Sequence, residues 1–264
     1  MRLQVGAATD TGRVRDQNED AFRLRADQGL FVVCDGMGGG PAGEVASELA
    51  ATSIVEQFEG REASTTHGSA GANGYLAQTG RLGDAVRRSN QDVFRQAQQN
   101  VDQAEMGTTV VSAWVNDRIA SVAHVGDSRA YLWHRGSLEA LTRDHSLVEA
   151  QVAAGTLDRD ASLRSEEQNV LVRALGREPD VEVDLTEVAV QPGDYLLLCT
   201  DGLTRMVPEQ ALADAIAHLR EPQKICDHLI GAANDRGGKD NVTVIVVHLP
   251  FSWWRRVLSQ WTSA

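Results

Sequence analysis

Short apolar or alternating runs recur along this chain, and their lengths are typical of β-strands. Helical spacing of apolar residues is confined to a few segments, which begin near Ala42, Leu82, Pro208 and Pro222. Because strand-like and helix-like segments cluster separately, the pattern predicts an α+β fold with two mainly antiparallel sheets covered by helices. The predicted strands cover residues 3–8, 21–24, 30–34, 108–115, 119–125, 130–133, 181–188, 195–199 and 242–248.

Size and charge favour one globular domain that does not bind nucleic acid. The chain has 264 residues, 42% of them hydrophobic, which is enough for one substantial core over residues 1–249. Its formal net charge of −12, without a basic run, argues against binding to nucleic acid. Three cysteines without metal-like spacing favour a reducing, cytoplasmic compartment. We see neither a signal peptide nor a membrane-spanning run and expect neither.

The last residues, 250–264, form a separate tail rich in Trp and Arg. On a helix, Trp254, Val257, Leu258 and Trp261 would share one face. Three interpretations stay open for this tail: docking on its own domain, contact with a partner, or contact with a membrane surface.

Acidic residues follow several of the predicted strands. Asp35 follows the run 30–34, Asp127 follows 119–125 and Asp201 follows 195–199, while two further acidic motifs surround Glu19 and Asp240. A sheet could deliver these carboxylates to one rim, where burying them without a cation or proton would cost several kcal/mol each. An all-oxygen ligand set favours Mg²⁺ or Mn²⁺ over zinc. Ordinary Asp-Gly turns at strand ends are the alternative interpretation of any single motif.

An ordered set of short motifs resembles the metal-dependent serine/threonine protein phosphatases of the type 2C family, in their compact bacterial form. The resemblance spans about residues 3 to 248 and rests on residues 15–21, 35–39 with 42–47, 106–109, 124–129, 144–146, 169–176, 200–203 and 240–243.

This resemblance implies a fold, a reaction and partners. The fold would be a four-layer α-β-β-α sandwich, with a flap over about residues 144–169 beside the active site. The reaction would be hydrolysis of phosphoserine and phosphothreonine in proteins by a water bridged between two Mn²⁺ or Mg²⁺ ions about 4 Å apart. Phosphorylated proteins would be the substrates, and bacterial members of this form usually oppose a serine/threonine kinase.

The resemblance also implies which residues hold the two ions. Asp35 would bridge both ions, and the carbonyl of Gly36 would add a ligand. Asp201 and Asp240 would complete one ion, and Glu19 the other.

Three further roles are implied around this pair of ions. Asp20 would hydrogen-bond metal-bound water and orient the nucleophile. Asp127, together with Asp201, would form a weaker third metal position. Arg15 matches the family's phosphate-binding arginine, whose planar fork suits bidentate contact with phosphate.

The proton donor to the leaving group is unassigned. Met37 stands where eukaryotic members carry a histidine proposed as general acid. His124 is the nearest candidate by motif, although a histidine in an apolar strand is more often a packed core residue.

Two rival functions are compatible with parts of the sequence. A cysteine-dependent phosphatase could use Cys199 and Arg205, which obey the C-x5-R spacing, but Asp201 would then lie inside the phosphate-binding loop. A non-catalytic relative that only binds phosphoproteins or a partner is the second rival.

Overall fold

The computed structural model describes residues 3–39, 41–59, 74–158, 161, 167 and 170–250. The predicted tail beyond Pro250 and several positions of the predicted flap, Asn169 among them, lie outside the described residues. The boundary between domain and tail therefore stays a prediction.

The described chain alternates short strands with a small number of helices. The strands are β1 Gln4–Asp10, β2 Asp20–Arg25, β3 Leu30–Met37, β4 Gly107–Thr108, β5 Val110–Asn116, β6 Ile119–Val125, β7 Arg129–His134, β8 Ser137–Ala140, β9 Asp184–Ala189, β10 Tyr195–Cys199 and β11 Val242–His248. The α-helices are α1 Pro41–Glu56, α2 Ala77–Gln99, α3 Leu147–Ala153, α4 Asp201–Thr204, α5 Glu209–Leu219 and α6 Pro222–Asp235.

The strands form two antiparallel sheets. One sheet has the order β1-β11-β10-β7-β8, and the other has the order β2-β3-β5-β6-β9 with β4 paired to β3. Neighbouring strands place Asp20 opposite Asp35 in β2 and β3, and Cys199 opposite Val244 in β10 and β11. The residues that follow β10 and precede β11 therefore meet at the same end of their sheet.

Three apolar clusters separate four layers of structure. Phe31, Val111, Leu196 and Ile245 belong to the cluster between the two sheets. A second cluster packs α1 and α2 against the outer face of the β3 sheet, and a third packs α5 and α6 against the outer face of the β10 sheet. Burying a side chain of this size contributes about 1.5–3 kcal/mol. The predicted α-β-β-α sandwich is confirmed.

The structure departs from the predicted elements in several places. The run 108–115 was predicted as one strand, but the structure divides it into β4 and β5 at Thr109. Strand β8 was not predicted, because it has only four residues and most of them are exposed at a sheet edge. The run 181–188 was predicted as one strand, but β9 begins only at Asp184. Val183 is instead buried in the cluster beneath α1 and α2, and the partly buried Val181 packs against that cluster; neither belongs to a strand.

No helix in the described ranges has both the length and the apolar character needed to cross a bilayer.

Candidate active site

The acidic residues predicted from the sequence line one cavity of about 740 Å³ at the ends of the two sheets. Strand β3 supplies one side, and the chain after β10 and before β11 supplies the other. Every predicted metal ligand lies along this cavity, and so does the predicted phosphate-binding arginine: Arg15, Glu19, Asp35, Gly36, Asp127, Asp201 and Asp240. Asp20 lies immediately behind this wall, in β2.

Hydrogen bonds of its backbone N–H and carbonyl groups fix Asp35 near the end of β3. Its N–H donates to the Oγ1 of Thr109 at 3.0 Å, and its carbonyl accepts from the N–H of Thr109 at 2.8 Å and from the Oγ1 of Thr108 at 2.9 Å. These contacts fix the strand while leaving the carboxylate for the cavity. Burial, followed by the negative charge of Asp20, raises the pKa of Asp35 well above its usual value.

Two glycines let Glu19 approach the start of α1. A Cβ on Gly36 would lie 2.0 Å from the carbonyl oxygen of Gly43, and a Cβ on Gly43 would lie 2.1 Å from the Oε2 of Glu19. The Gly36 N–H also donates to the Glu19 carbonyl at 3.0 Å. Burial raises the pKa of Glu19, whereas the nearby Arg15 opposes that rise. A larger residue at Gly43 would push this carboxylate away, and a larger residue at Gly36 would collide with the backbone carbonyl groups of Gly43 and Glu19.

Asp20 is buried, and only one of its carboxylate oxygens has a hydrogen-bond partner in the described part of the chain. Its Oδ2 accepts from the hydroxyls of Thr200 at 2.9 Å and Thr243 at 2.7 Å. Its Oδ1 is buried and has no hydrogen-bond partner among the described residues. Burial raises the pKa of Asp20 to about 7, although the two threonine hydroxyls oppose the shift.

Asp201 opens the single turn of α4, directly after β10. Its Oδ1 is likewise buried without a hydrogen-bond partner in the described part of the chain. Its Oδ2 pairs with Arg205 Nη2 at 2.5 Å, and the same Nη2 lies 3.1 Å from the Oδ2 of Asp127. Burial raises the pKa of both aspartates, and Arg205 opposes the rise.

Arg15 reaches the cavity from the segment before β2. Its Nη2 donates to the Oδ2 of Asp240 at 2.8 Å, and its side chain is 54% exposed. The hydrogen bond and the charge of Asp240 raise the pKa of this guanidinium. Arg15 therefore stands beside a predicted metal ligand and stays accessible from solvent.

Asn241 is a positioning residue to which the sequence analysis gave no role. Its Oδ1 accepts from the Glu19 N–H at 2.8 Å, and its Nδ2 donates to the carbonyls of Thr11 and Gln17, both at 2.9 Å. The side chain thus ties the segment that carries Glu19 to the start of β11. The signal in the sequence was its place next to Asp240.

The base of the predicted flap is anchored to strand β7. Asp144 accepts two hydrogen bonds from Arg129, from Nε at 2.8 Å and Nη2 at 2.7 Å. The Nδ1 of His145 accepts a hydrogen bond from the Gly126 N–H at 3.1 Å, and the backbone N–H of His145 donates to the Gly126 carbonyl at 2.8 Å. Ser146 then caps α3 by accepting the Glu149 N–H at 3.3 Å. These contacts connect the flap to the turn that carries Asp127.

A second group of possible ligand atoms lies outside the acidic cavity. Atoms of His124, His145 and Asp184 lie within 4.8 Å of one another. Arg173 already contacts two of them, because its Nη1 donates to the Asp184 Oδ1 at 2.6 Å and lies 3.2 Å from the His145 Nε2. Burial lowers the pKa of His145 to about 4. A guanidinium in this position already supplies the positive charge that a metal ion would bring.

His124 does not line the acidic cavity. It is 3% exposed in β6, and its Nε2 lies 2.8 Å from the Arg143 carbonyl, to which it donates. Burial lowers its pKa. These contacts match a packed core histidine, and they leave the proton donor unassigned.

The geometry does not suit a cysteine nucleophile. The Cys199 side chain is fully buried in β10, and burial raises the pKa of its thiol to about 12. Arg205, the second residue of the C-x5-R spacing, pairs with two carboxylates instead of facing an open phosphate site.

The residues of the acidic cavity fit hard divalent cations. The ligand set is carboxylate and carbonyl oxygen, which Mg²⁺ and Mn²⁺ prefer. Among the described residues, two buried carboxylate oxygens lack hydrogen-bond partners, and burial together with nearby negative charge raises the pKa of Asp20 and Asp35. A bound cation would remove both penalties.

Comparisons with known proteins agree with this site. A family model described as protein phosphatase 2C matches residues 11–229. The chain is 38% identical to the serine/threonine phosphatase stp of Listeria welshimeri over 246 residues, which cover 90% of this chain and 93% of that protein.

Two solved structures share the fold. The serine/threonine phosphatase PstP/Ppp of Mycobacterium tuberculosis matches with a TM-score of 0.84 and 32% identity, covering 95% of this chain and 100% of that chain. The catalytic domain of PstP in complex with two manganese ions matches with a TM-score of 0.81 and 31% identity, covering 94% and 99% of the two chains. The predicted resemblance is confirmed, and the chain belongs to the protein phosphatase 2C family.

Proposed function

We propose that this protein hydrolyses phosphoserine and phosphothreonine in proteins with the help of two Mn²⁺ or Mg²⁺ ions. The observation that carries the proposal is the convergence of Glu19, Asp35, Asp201 and Asp240 on one cavity in a member of this phosphatase family. The two manganese ions of the related PstP catalytic domain support the choice of metal.

Oxygen atoms from both sheets would hold the ions. Asp35 would bridge them, the Gly36 carbonyl would add a ligand, Asp201 and Asp240 would complete one ion, and Glu19 the other. When bound, such ions offset the charge of phosphoryl oxygens and lower the pKa of water toward neutrality. Asp201 would use its Oδ1, since its Oδ2 already contacts Arg205.

Arg15 and Asp20 would act on the substrate and on water. One N–H of Arg15 is taken by Asp240, which leaves further donors of the guanidinium for phosphate oxygens. The Oδ1 of Asp20 is buried and has no hydrogen-bond partner among the described residues. As an acceptor, this oxygen would orient a water beside the ions. The threonine hydroxyls on its Oδ2 keep the carboxylate from rotating away.

Substitution of the bridging ligand tests the proposal. Asp35→Asn keeps the shape of the side chain but removes a charge, and we expect turnover of a phosphothreonine peptide in Mn²⁺ to fall at least about a hundredfold, roughly 3 kcal/mol of barrier. Asp201→Asn is expected to do the same. Asp84→Asn, which removes a mostly exposed carboxylate on α2, is the matched control and should leave turnover unchanged.

The same assay separates the rival functions. Loss of turnover in EDTA and its recovery with Mn²⁺ would exclude a thiol mechanism. Full activity of Asp35→Asn would contradict the two-ion site, whereas a wild-type protein that binds phosphopeptide without turnover would favour the non-catalytic relative.

The physiological setting is proposed more broadly. We infer that the substrates include a serine/threonine kinase, that the protein works in the cytoplasm, and that residues 250–264 contact a partner or a membrane surface. The three cysteines are buried free thiols, which supports a reducing compartment. Phosphoproteomics of a deletion strain tests the substrates, and removal of the tail should spare turnover of a short phosphopeptide while weakening binding to its partner.

A further inference from the structure

Arg205 lies between the two carboxylates that were expected to hold a third cation. Its Nη2 is 2.5 Å from the Asp201 Oδ2 and 3.1 Å from the Asp127 Oδ2. The Arg205 side chain is 24% exposed, and those of Asp127 and Asp201 are 7% and 11% exposed. The three groups therefore form a largely buried cluster in the cavity wall rather than a solvated surface pair.

The backbone fixes this arrangement from both sides. Arg205 follows the single turn of α4, and its N–H donates to the Asp201 carbonyl at 2.9 Å, so that residues 201 and 205 share one face. Asp127 comes from the turn between β6 and β7, where Gly126 has a φ of 108°. A Cβ on Gly126 would lie 2.6 Å from the Cγ2 of Thr109, so only glycine allows this turn to pack so closely.

The two oxygens of Asp201 have different surroundings. Its Oδ2 pairs with Arg205, whereas its Oδ1 is buried and has no hydrogen-bond partner among the described residues. One oxygen is thus satisfied by a permanent side-chain cation, and the other remains for an ion in the main cavity. A guanidinium does not lose its proton in proteins, so its charge is present at every working pH.

A divalent ion cannot share this position with Arg205. The ion would need the same Oδ2 atoms of Asp127 and Asp201 that the guanidinium contacts, and the two positive charges would repel at short range. The position between the Asp127 and Asp201 carboxylates therefore does not fit a third metal ion as long as Arg205 remains in place.

We propose that Arg205 is a built-in cation that takes the place of the third metal ion. It neutralises Asp127, holds Asp201 by one oxygen and limits the cavity to two divalent ions. In this role Arg205 is a positioning residue for Asp201. The proposal rests on the two-ion site proposed above.

Metal stoichiometry tests the proposal without reference to activity. Equilibrium dialysis against Mn²⁺ up to millimolar concentration, followed by metal analysis, should give two ions for the wild type. Arg205→Gln and Arg205→Met should each gain a third, weaker ion, since either variant opens the Asp127–Asp201 position. Arg205→Lys keeps a positive charge and should stay at two ions.

A double variant identifies where the additional ion binds. Adding Asp127→Asn to Arg205→Gln should return the count to two. A count of three in the wild type, or a count of two in the folded Arg205→Gln and Arg205→Met variants, would overturn the role of Arg205 and leave the two-ion site intact. A count of zero in the wild type would contradict the two-ion site and this proposal together.

Discussion

Replacing Asn241 with alanine tests how the segment that carries Glu19 is held. Asn241 is 6% exposed, and the substitution removes three hydrogen bonds of its side chain. One is accepted from the Glu19 N–H, and the other two are donated to the carbonyls of Thr11 and Gln17. At about 0.5–1.5 kcal/mol for each bond, the free energy of unfolding should fall by about 1.5–4.5 kcal/mol.

Urea unfolding in EDTA, followed by tryptophan fluorescence, measures this loss without interference from bound metal. The matched control is Asn100→Ala, which removes one hydrogen bond to the Gln96 carbonyl from an exposed position after α2. We expect the control to stay within about 0.5 kcal/mol of the wild type. The reasoning is refuted if Asn241→Ala unfolds at the same urea concentration as this control.

The same variant has a consequence for metal binding. Asn241 does not contact a metal in our account, but it positions the backbone of Glu19, and losing such support typically costs 10–100-fold in metal affinity or activity. A Mn²⁺ titration of Asn241→Ala should therefore show weaker binding by that factor, while Asn100→Ala binds as the wild type does. Unchanged affinity would mean that Glu19 does not depend on this contact.

Three further predictions concern the acidic cavity. Burial raises the pKa of Asp20 to about 7, so the contribution of Asp20 to the stability of the metal-free protein should fall as the pH rises from about 4 to 7, and Mn²⁺ should reduce that loss. The measurement is the melting temperature of the wild type relative to Asp20→Asn, and a difference that stays constant over this range without metal would contradict the prediction. Gly36→Ala places a Cβ 2.0 Å from the Gly43 carbonyl oxygen, so the free energy of unfolding in urea should fall by about 1–3 kcal/mol and Mn²⁺ should bind more weakly. Unfolding and Mn²⁺ affinity equal to those of the wild type would show that the backbone moves aside without cost. Arg15→Ala should raise the KM for a phosphopeptide about tenfold or more, because a charged contact with the phosphate is lost. An unchanged KM would show that Arg15 does not contact the substrate.

Sequence reasoning located the acidic cavity because its residues adjoin strong strand signals. The buried runs of β10 and β11 and the apolar start of β3 are hard to interpret as anything else. Antiparallel pairing of β10 with β11 brings Asp201 and Asp240 to one rim, and the packing of the two sheets against each other adds Asp35. Apolar patterns report burial rather than pairing, however. For that reason Val181 and Val183 were assigned to a strand that begins only at Asp184.

Contacts between distant segments were the part that the sequence did not reveal. The four-residue spacing places Arg205 beside Asp201, but its contact with Asp127 depends on a turn 78 residues earlier in the chain. The pair formed by Arg129 and Asp144 and the contact of His145 with Gly126 likewise depend on how the flap folds back on β7. Such pairings are set by tertiary packing, which cannot be inferred from the pattern of a single sequence.

The central claim is that oxygen atoms from both sheets hold a pair of divalent cations in one cavity. Anomalous diffraction from crystals grown with Mn²⁺, collected at the manganese absorption edge, measures this directly. The account predicts two peaks between Glu19, Asp35, Asp201 and Asp240, with Arg205 still beside Asp127. A well-ordered cavity without a manganese peak among these four carboxylates would contradict it.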